Sequence, residues 1–239
     1  MKPLHLAAVS LKRDFEMVFK INAIKKKYGR KTVLEDVSFD VTPGTCIGIL
    51  GVNGSGKSTL LSILAGVRRA DGGSFLCDGA DLLKKSALRS EYVGYVPQGT
   101  PLMEELTAKD NLLLWYTRSE LKSELEDGVL SLLGISDFLN KPVSKLSGGM
   151  KKRLSIGCSM SCHPRLLLMD EPSAAIDFLC KKNIVDYINA FKNSGGSVII
   201  TTHDTSELSA CDTIYLLKGG RLVPYDFDGD VEKLARNLL

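Results

Sequence analysis

The stretch Gly51-Val52-Asn53-Gly54-Ser55-Gly56-Lys57-Ser58-Thr59 constrains this chain more than any other, because it stands where an apolar run ends and a helical pattern begins. Cys46 to Leu50 is a short apolar run that stops at Gly51, and Leu60, Ile63, Leu64 and Val67 follow it. Their i, i+3, i+4, i+7 spacing marks one face of a helix. A strand, a glycine loop and a helix in that order give the phosphate-binding pattern G-x-x-x-x-G-K-[ST] the context its mechanism requires. Glycines 51, 54 and 56 permit backbone conformations that aim successive N–H groups at phosphate oxygens, and the helix start adds partial positive charge. Lys57 is placed to contact the terminal phosphates and the Ser58 hydroxyl to ligate Mg²⁺, with Asn53, Ser55 and Thr59 completing the candidate loop.

A second motif follows the same logic. Leu166 to Met169 is an apolar strand that delivers Asp170 and Glu171 at its C-terminal end, and ligand chemistry in open α/β sheets gathers at the carboxyl ends of strands. Asp170 suits the outer shell of the Mg²⁺, and Glu171 suits the orientation and polarisation of a water attacking a γ-phosphate. Successive strand residues point to opposite faces, so the two acids can hold different roles.

The remaining pattern alternates strands with helices. Tyr92 to Val96 reads as a strand ending at Pro97, and Thr107 with Asp110 opens a helix carrying Leu112, Leu113 and Trp115. From about Thr107 to Lys145 the spacing is mostly helical. Leu166 to Met169 and Val198 to Thr202 are too continuously apolar to be half exposed, so they are expected as central parallel strands. Val231, Leu234 and Leu238 mark a short amphipathic helix. The expected fold class is α/β, one domain with a helical insertion.

Composition excludes several classes. With 239 residues, 31 basic and 28 acidic side chains and a net charge of +3, the chain is no disulfide-stapled miniprotein. No apolar run approaches the roughly 18 to 20 residues that span a bilayer. Residues 1 to 31 carry nine Lys or Arg against two acidic residues, yet Phe19, Ile21 and Ala23 alternate there with Lys20 and Asn22, which reads as a solvated strand edge rather than a nucleic-acid-binding or lipid-binding arm. The first sixteen residues show no clear period and are expected to be a loosely attached extension preceding Met17. Leu4 to Val9 is broken by His5 and ends in Ser10, Lys12 and Arg13, unlike a secretory leader. A cytoplasmic chain with reduced thiols is therefore expected. Six scattered cysteines fit that reading, and Cys158 and Cys162 beside His163 read as small buried residues rather than metal ligands.

A third motif narrows the chemistry. Leu146-Ser147-Gly148-Gly149-Met150 precedes Lys151, Lys152 and Arg153, so the Ser147 hydroxyl and free N–H groups stand at a helix start where an anion would bind. By itself Ser-Gly-Gly is an ordinary turn.

Together these residues resemble the ATP-binding cassette family, specifically the ATP-binding subunit of a transporter, over nearly the whole chain from Met17 to Leu239. Tyr28 is similar to the aromatic that stacks on adenine, Gly51 to Thr59 to the Walker A loop, and Gln98 to the Q-loop glutamine, which also reaches the metal. Ser147, Gly148 and Gly149 are similar to the signature sequence, Asp170 and Glu171 to Walker B with its catalytic glutamate, Asp177 to the D-loop aspartate and His203 to the switch histidine. Two departures are Met150, where the family usually has Gln, and the Ala174-Ala175-Ile176 run ahead of Asp177.

The resemblance implies a RecA-like P-loop NTPase core with an N-terminal antiparallel β part and a helical subdomain inserted at about residues 99–146. It also implies ATP and Mg²⁺ as cofactors, with Glu171, His203 and Lys57 catalytic and Ser58, Gln98 and Asp170 at the metal. The implied assembly is a head-to-tail dimer sandwiching two ATP molecules, attached to separate integral-membrane permease subunits at the cytoplasmic face. Leu102, Met103 and Trp115 are candidate contacts for the permease, or else interior residues of the insertion. The alternatives are a soluble cassette ATPase acting on nucleic acid or ribosomes, for which no strong basic patch is visible, and a small-molecule kinase, which leaves Leu146 to Met150 and His203 unexplained.

Overall fold

The computed structural model describes residues 17–173 and 178–238. The expected extension at 1–16 and Asp177 lie outside the described residues. In chain order the first elements are β1 (Phe19–Tyr28), β2 (Lys31–Val41), β3 (Cys46–Leu50), α1 (Lys57–Leu64), β4 (Gly72–Cys77), β5 (Ala80–Asp81), α2 (Ser86–Tyr92) and β6 (Val93–Val96). A helical stretch follows with α3 (Ala108–Leu113), α4 (Arg118–Glu126), α5 (Val129–Leu132) and α6 (Gly148–Ser159), with 3-10 turns at Ile135–Phe138 and Val143–Lys145. The chain then returns to the sheet with β7 (Leu166–Asp170), α7 (Phe178–Asn193), β8 (Ser197–Thr201), α8 (Thr205–Leu208), β9 (Thr213–Lys218), β10 (Arg221–Tyr225) and α9 (Val231–Leu238).

Among the described residues the strands join one sheet in the order β5-β4-β1-β2-β10-β9-β3-β8-β7-β6. The half from β9 to β6 is parallel, whereas β1, β2, β4 and β5 pair antiparallel. Every residue of β3, β7 and β8 is buried, as expected for strands covered on both faces. Their alternation divides the apolar side chains between two cores. Leu166, Leu168, Ile47, Ile49 and Ile199 pack with α1 and the antiparallel strands. Leu167, Met169, Val198 and Ile200 pack with the helices between β6 and β7 and with α7.

The Thr107 expectation holds in detail. Asp110 N–H donates to Thr107 Oγ1 at 3.1 Å and Thr107 N–H donates to Asp110 Oδ2 at 3.2 Å, a reciprocal cap that fixes where α3 begins. The helix ends at Leu113, however, so Trp115 falls outside it and is 63% exposed. Val67 likewise lies beyond α1, past Gly66 with its positive φ of 81°, and is exposed. The basic N-terminal strand is not an edge, because β1 has β2 on one side and β4 on the other. Phe19 and Ile21 are buried as their alternation predicts, but Ala23 takes φ 48° and shifts the register, so Ile24 is the next residue to turn inward. That bulge lets one strand bury two stretches of opposite parity.

Candidate functional site

The glycine loop runs from the end of β3 to the start of α1. Gly54 and Gly56 have φ of 78° and 113°, which side chains other than glycine adopt only with strain. A Cβ on Gly56 would lie 2.8 Å from Val33 Cγ1, and one on Gly51 would lie 2.5 Å from Ser55 Oγ. The loop is thus folded tightly on itself and on β2. Asn53, Gly54 and Ser58 are exposed, while Lys57 is only 5% exposed.

Three features of this loop fit a polyphosphate. No side chain caps α1, so its first N–H groups and the positive end of its dipole are available to an anion. Ser55 Oγ is buried without a hydrogen-bond partner. The Lys57 ammonium rests on the loop's own carbonyls, donating to Gly51 O at 2.7 Å and Val52 O at 3.4 Å. Each would gain a charged or stronger partner from phosphate oxygens.

Glu171 is where the separate motifs meet. The Glu171 carboxylate accepts from Gln98 Nε2 at 2.9 Å, lies 3.4 Å from His203 Nε2 and 3.9 Å from Lys57 Nζ. Its backbone has φ 45°, a left-handed conformation that costs a non-glycine residue on the order of 1 kcal/mol and clusters at functional sites. Thr201 O accepts the Glu171 N–H at 2.9 Å and holds that conformation in place. Asp170, 2% exposed, accepts from Thr201 Oγ1 at 2.6 Å, so one threonine of β8 orients both acids.

Desolvation sets the charges. Burial lowers the Lys57 ammonium from its usual range, with Glu171 and Asp170 opposing. His203 is also lowered, first by burial and then by the Lys57 charge. It is therefore neutral at pH 7, with one N–H to give and one lone pair to accept.

Tyr28 and the serine-glycine turn lie apart from this cluster. Tyr28 closes the β1–β2 hairpin whose Val33 abuts Gly56. Its exposed ring sits between Lys26 and Arg68, and Arg68 Nη1 donates to its hydroxyl at 3.2 Å. Ser147 caps α6 by accepting the Met150 N–H at 3.3 Å, and both Ser147 and Gly148 face solvent. The basic run after them is not an anion patch. Lys151 donates to Glu104 at 2.6 Å, Arg153 donates to Leu133 O at 3.0 Å, and the buried Lys152 donates to Pro97 O and Gln98 O at 3.0 and 2.9 Å.

The profile of the family described as "ABC transporter" matches residues 34–174, more than half of the chain. The chain belongs to the ABC transporter family. A linearmycin resistance ATP-binding protein of Bacillus subtilis is 34% identical over 206 residues, covering 84% of this chain and 66% of the relative. A lantibiotic transport ATP-binding protein of Streptococcus pyogenes is 30% identical, covering 92% of this chain and 96% of the relative. Over the first relatives the chain spans between 62% and 72% of their length. A solved dimeric ATP-binding cassette in a post-hydrolysis state, bound to ADP and Pi, superposes with a TM-score of 0.76 at 25% identity, covering 89% of this chain and all of that one.

Two residues of this ABC cassette were not legible as site residues. Lys152 shows in the sequence only as one member of the basic run that opens α6, yet it pins the backbone that presents Gln98. Glu207 is fully buried, and its carboxylate accepts from the Thr202 hydroxyl and from Ser173. Thr202 precedes His203, and Ser173 follows Glu171 by two residues, so one acid joins the two strand ends. The only sequence signal was an acid four residues after the histidine.

Burial lifts the Glu207 carboxyl to about 7, against the pull of the Thr202 and Ser173 hydrogen bonds. The folded state then binds this proton more tightly than the unfolded chain does. Its stabilising contribution is complete below the ordinary carboxylate range and is lost as pH rises through about 7. Glu207→Gln should remove that slope. Denaturant titrations should show the fall in unfolding free energy between about pH 5 and about pH 8 reduced by about 2 kcal/mol relative to wild type.

Proposed function

We propose that this chain binds ATP with Mg²⁺, hydrolyses it in a nucleotide-closed dimer and thereby drives transport through separate membrane subunits. The observation that carries the reading is the convergence of Lys57, Gln98 and His203 on Glu171. Four motifs far apart in sequence supply a phosphate ligand, a carboxylate base and a neutral imidazole to one point at the mouth of the glycine loop. A triphosphate entering the loop draws Lys57 from the Gly51 carbonyl to the terminal phosphates. Glu171, released from that ammonium, accepts a proton from the attacking water. Neutral His203 donates its N–H to the γ-phosphate and stabilises the charge that builds there. Ser58, Gln98 and Asp170 are the residues that would hold Mg²⁺, which when bound supplies neutralisation of phosphate charge. Tyr28 offers its exposed ring to the adenine.

Ser147, Gly148 and Gly149 complete the site from a second subunit in this reading. The support is the exposure of Ser147 and Gly148 at the start of α6, where a helix N-terminus offers backbone donors; Gly149, the next residue, is buried. The D-loop aspartate Asp177 belongs to the same interface. The membrane subunits dock on the helical stretch between β6 and β7, which adjoins Gln98. There Leu102 packs on the core, but Met103, Leu114 and Trp115 are 52%, 54% and 63% exposed, a grouping that suits burial by a partner. Among the described residues no helix is long and apolar enough to cross a membrane. The proposed location is the cytoplasmic face, held by those partners.

Two measurements test this reading. In a steady-state ATPase assay Glu171→Gln should lower turnover by at least about 100-fold while ATP affinity stays within a few-fold, and His203→Ala should lower it by about 10- to 100-fold. Unchanged turnover in Glu171→Gln contradicts the assignment. Trp115→Glu should abolish recovery of the chain with its native membrane fraction while the isolated chain keeps ATPase activity within about two-fold. Retained membrane recovery contradicts the docking face.

A further inference from the structure

Two cysteines that the proposed reaction does not use lie in contact. Cys46 opens β3 and is fully buried; Cys211 is half-buried and follows α8. They are 165 residues apart in sequence, yet their sulfurs are 3.7 Å apart and both are free thiols. The backbones that carry them are fastened together. Cys46 N–H donates to Asp212 Oδ2 at 2.7 Å, and Asp212 N–H donates to Cys46 O at 2.8 Å. Gly48 makes the room, because a Cβ there would lie 2.9 Å from Cys211 Sγ. Cys211 also lines a cavity of about 740 Å³ with Leu208, Pro224, Tyr225 and Phe227. Cys211 therefore lines an entry path, and Cys46, buried and in contact with it, does not.

We propose that Cys46 and Cys211 form a reversible dithiol–disulfide couple, oxidised by a low-molecular-weight disulfide that enters through this cavity. Cys211 gives its proton to water, and the thiolate attacks one sulfur of the incoming disulfide RSSR, forming Cys211–S–SR and releasing RS⁻. Cys46 passes its proton to that RS⁻ and attacks the Cys211 sulfur, so the Cys46–Cys211 bond forms and a second RS⁻ leaves, to be protonated by water. Two protein thiols are oxidised by two electrons, and one RSSR is reduced to two RSH. Closing 3.7 Å to a bond of about 2 Å needs a movement of under about 2 Å, shared between two side chains. The hydrogen bond to Cys211, with burial, holds the Cys46 thiol well above its ordinary range. The second step is the slow one, and in a reducing compartment the pair rests as thiols.

The couple joins the two sides of the site. β3 leads into the glycine loop and Lys57. On the other side, Cys211 Sγ donates to the Glu207 backbone oxygen at 3.4 Å, and the Glu207 carboxylate holds Thr202 beside His203. A covalent link restrains the His203 segment against the phosphate loop. Its effect on turnover rests on the proposed ATPase; formation of the link does not.

The test is incubation of the purified chain with oxidised glutathione, followed by alkylation under denaturing conditions, intact mass and peptide mapping. Cys162, exposed rather than buried as its sequence setting suggests, is a separate target for glutathione; the expected product carries no glutathione on Cys46 or Cys211, has lost both of those alkylatable thiols and yields a Cys46–Cys211 linked peptide. Its thermal midpoint rises by roughly 10 °C, and its ATPase rate falls at least about five-fold and recovers with dithiothreitol. Cys46→Ala should stop at the glutathione adduct on Cys211, and Cys211→Ala should leave Cys46 unmodified; should either variant fail to fold, the wild-type peptide map decides alone. A wild-type product with glutathione on Cys211 and Cys46 still alkylatable, or a different linked pair, overturns the couple. A Cys46–Cys211 link with unchanged turnover overturns its connection to the His203 segment. A reduced chain with no ATPase activity leaves the link standing and refutes the proposed function instead.

Discussion

A carboxylate withdrawn from water must find positive or hydrogen-bonding partners, and at Glu171 the partners come from three other parts of the chain. The strand behind it is fully buried, its backbone is bent into a left-handed conformation, and Thr201 holds the bend. Thr201 thereby fixes the direction in which the carboxylate leaves the strand, and Lys57, Gln98 and His203 meet it there. The rest of the structure is arranged around meeting this requirement. β3 brings the glycine loop and Lys57, β6 brings Gln98 and β8 brings His203, all at the carboxyl end of the parallel half of one sheet.

The same requirement organises the surroundings. Lys152 and Glu207 are buried ionisable groups of opposite sign, and both are lodged against backbone or side chains that adjoin site residues. Burial pushes each toward its neutral form. Neither is placed to touch a phosphate in its own chain. They set where Gln98 and His203 stand, so the positions of those two residues follow the packing of α6 and α8. A movement of the helical stretch between β6 and β7 would be felt at Gln98 through Lys152.

Local chemistry was readable in the sequence, and pairing at a distance was not. The apolar runs behind β3, β7 and β8, the reciprocal cap at Thr107 and the order of loop, strand and helix all follow from periodicity over a few residues. The interior place of β1 depends on β4, whose residues 72–77 give no sign of which strand they will join. Trp115 was assigned to a helical face because the apolar spacing continues past Leu113, whereas the backbone leaves the helix there. Lys152 is one charge of a basic run in the sequence, and only the fold sets the carbonyls of Pro97 and Gln98 against its ammonium. The meeting of Lys57, Gln98 and His203 at Glu171 was implied by motif order but has no local signal, since each residue alone is unremarkable. Cys46 and Cys211, on strands and loops far apart in sequence, carried no signal of contact at all.

In the proposed reaction the carboxylate at 171 and the ammonium at 57 exchange partners when a triphosphate enters, and a second subunit then closes over it. Sedimentation velocity of Glu171→Gln with magnesium and excess ATP measures this most directly. The expected result is a shift from monomer to dimer that requires ATP and reverses when nucleotide is removed. A variant that stays monomeric with ATP demonstrably bound would contradict it.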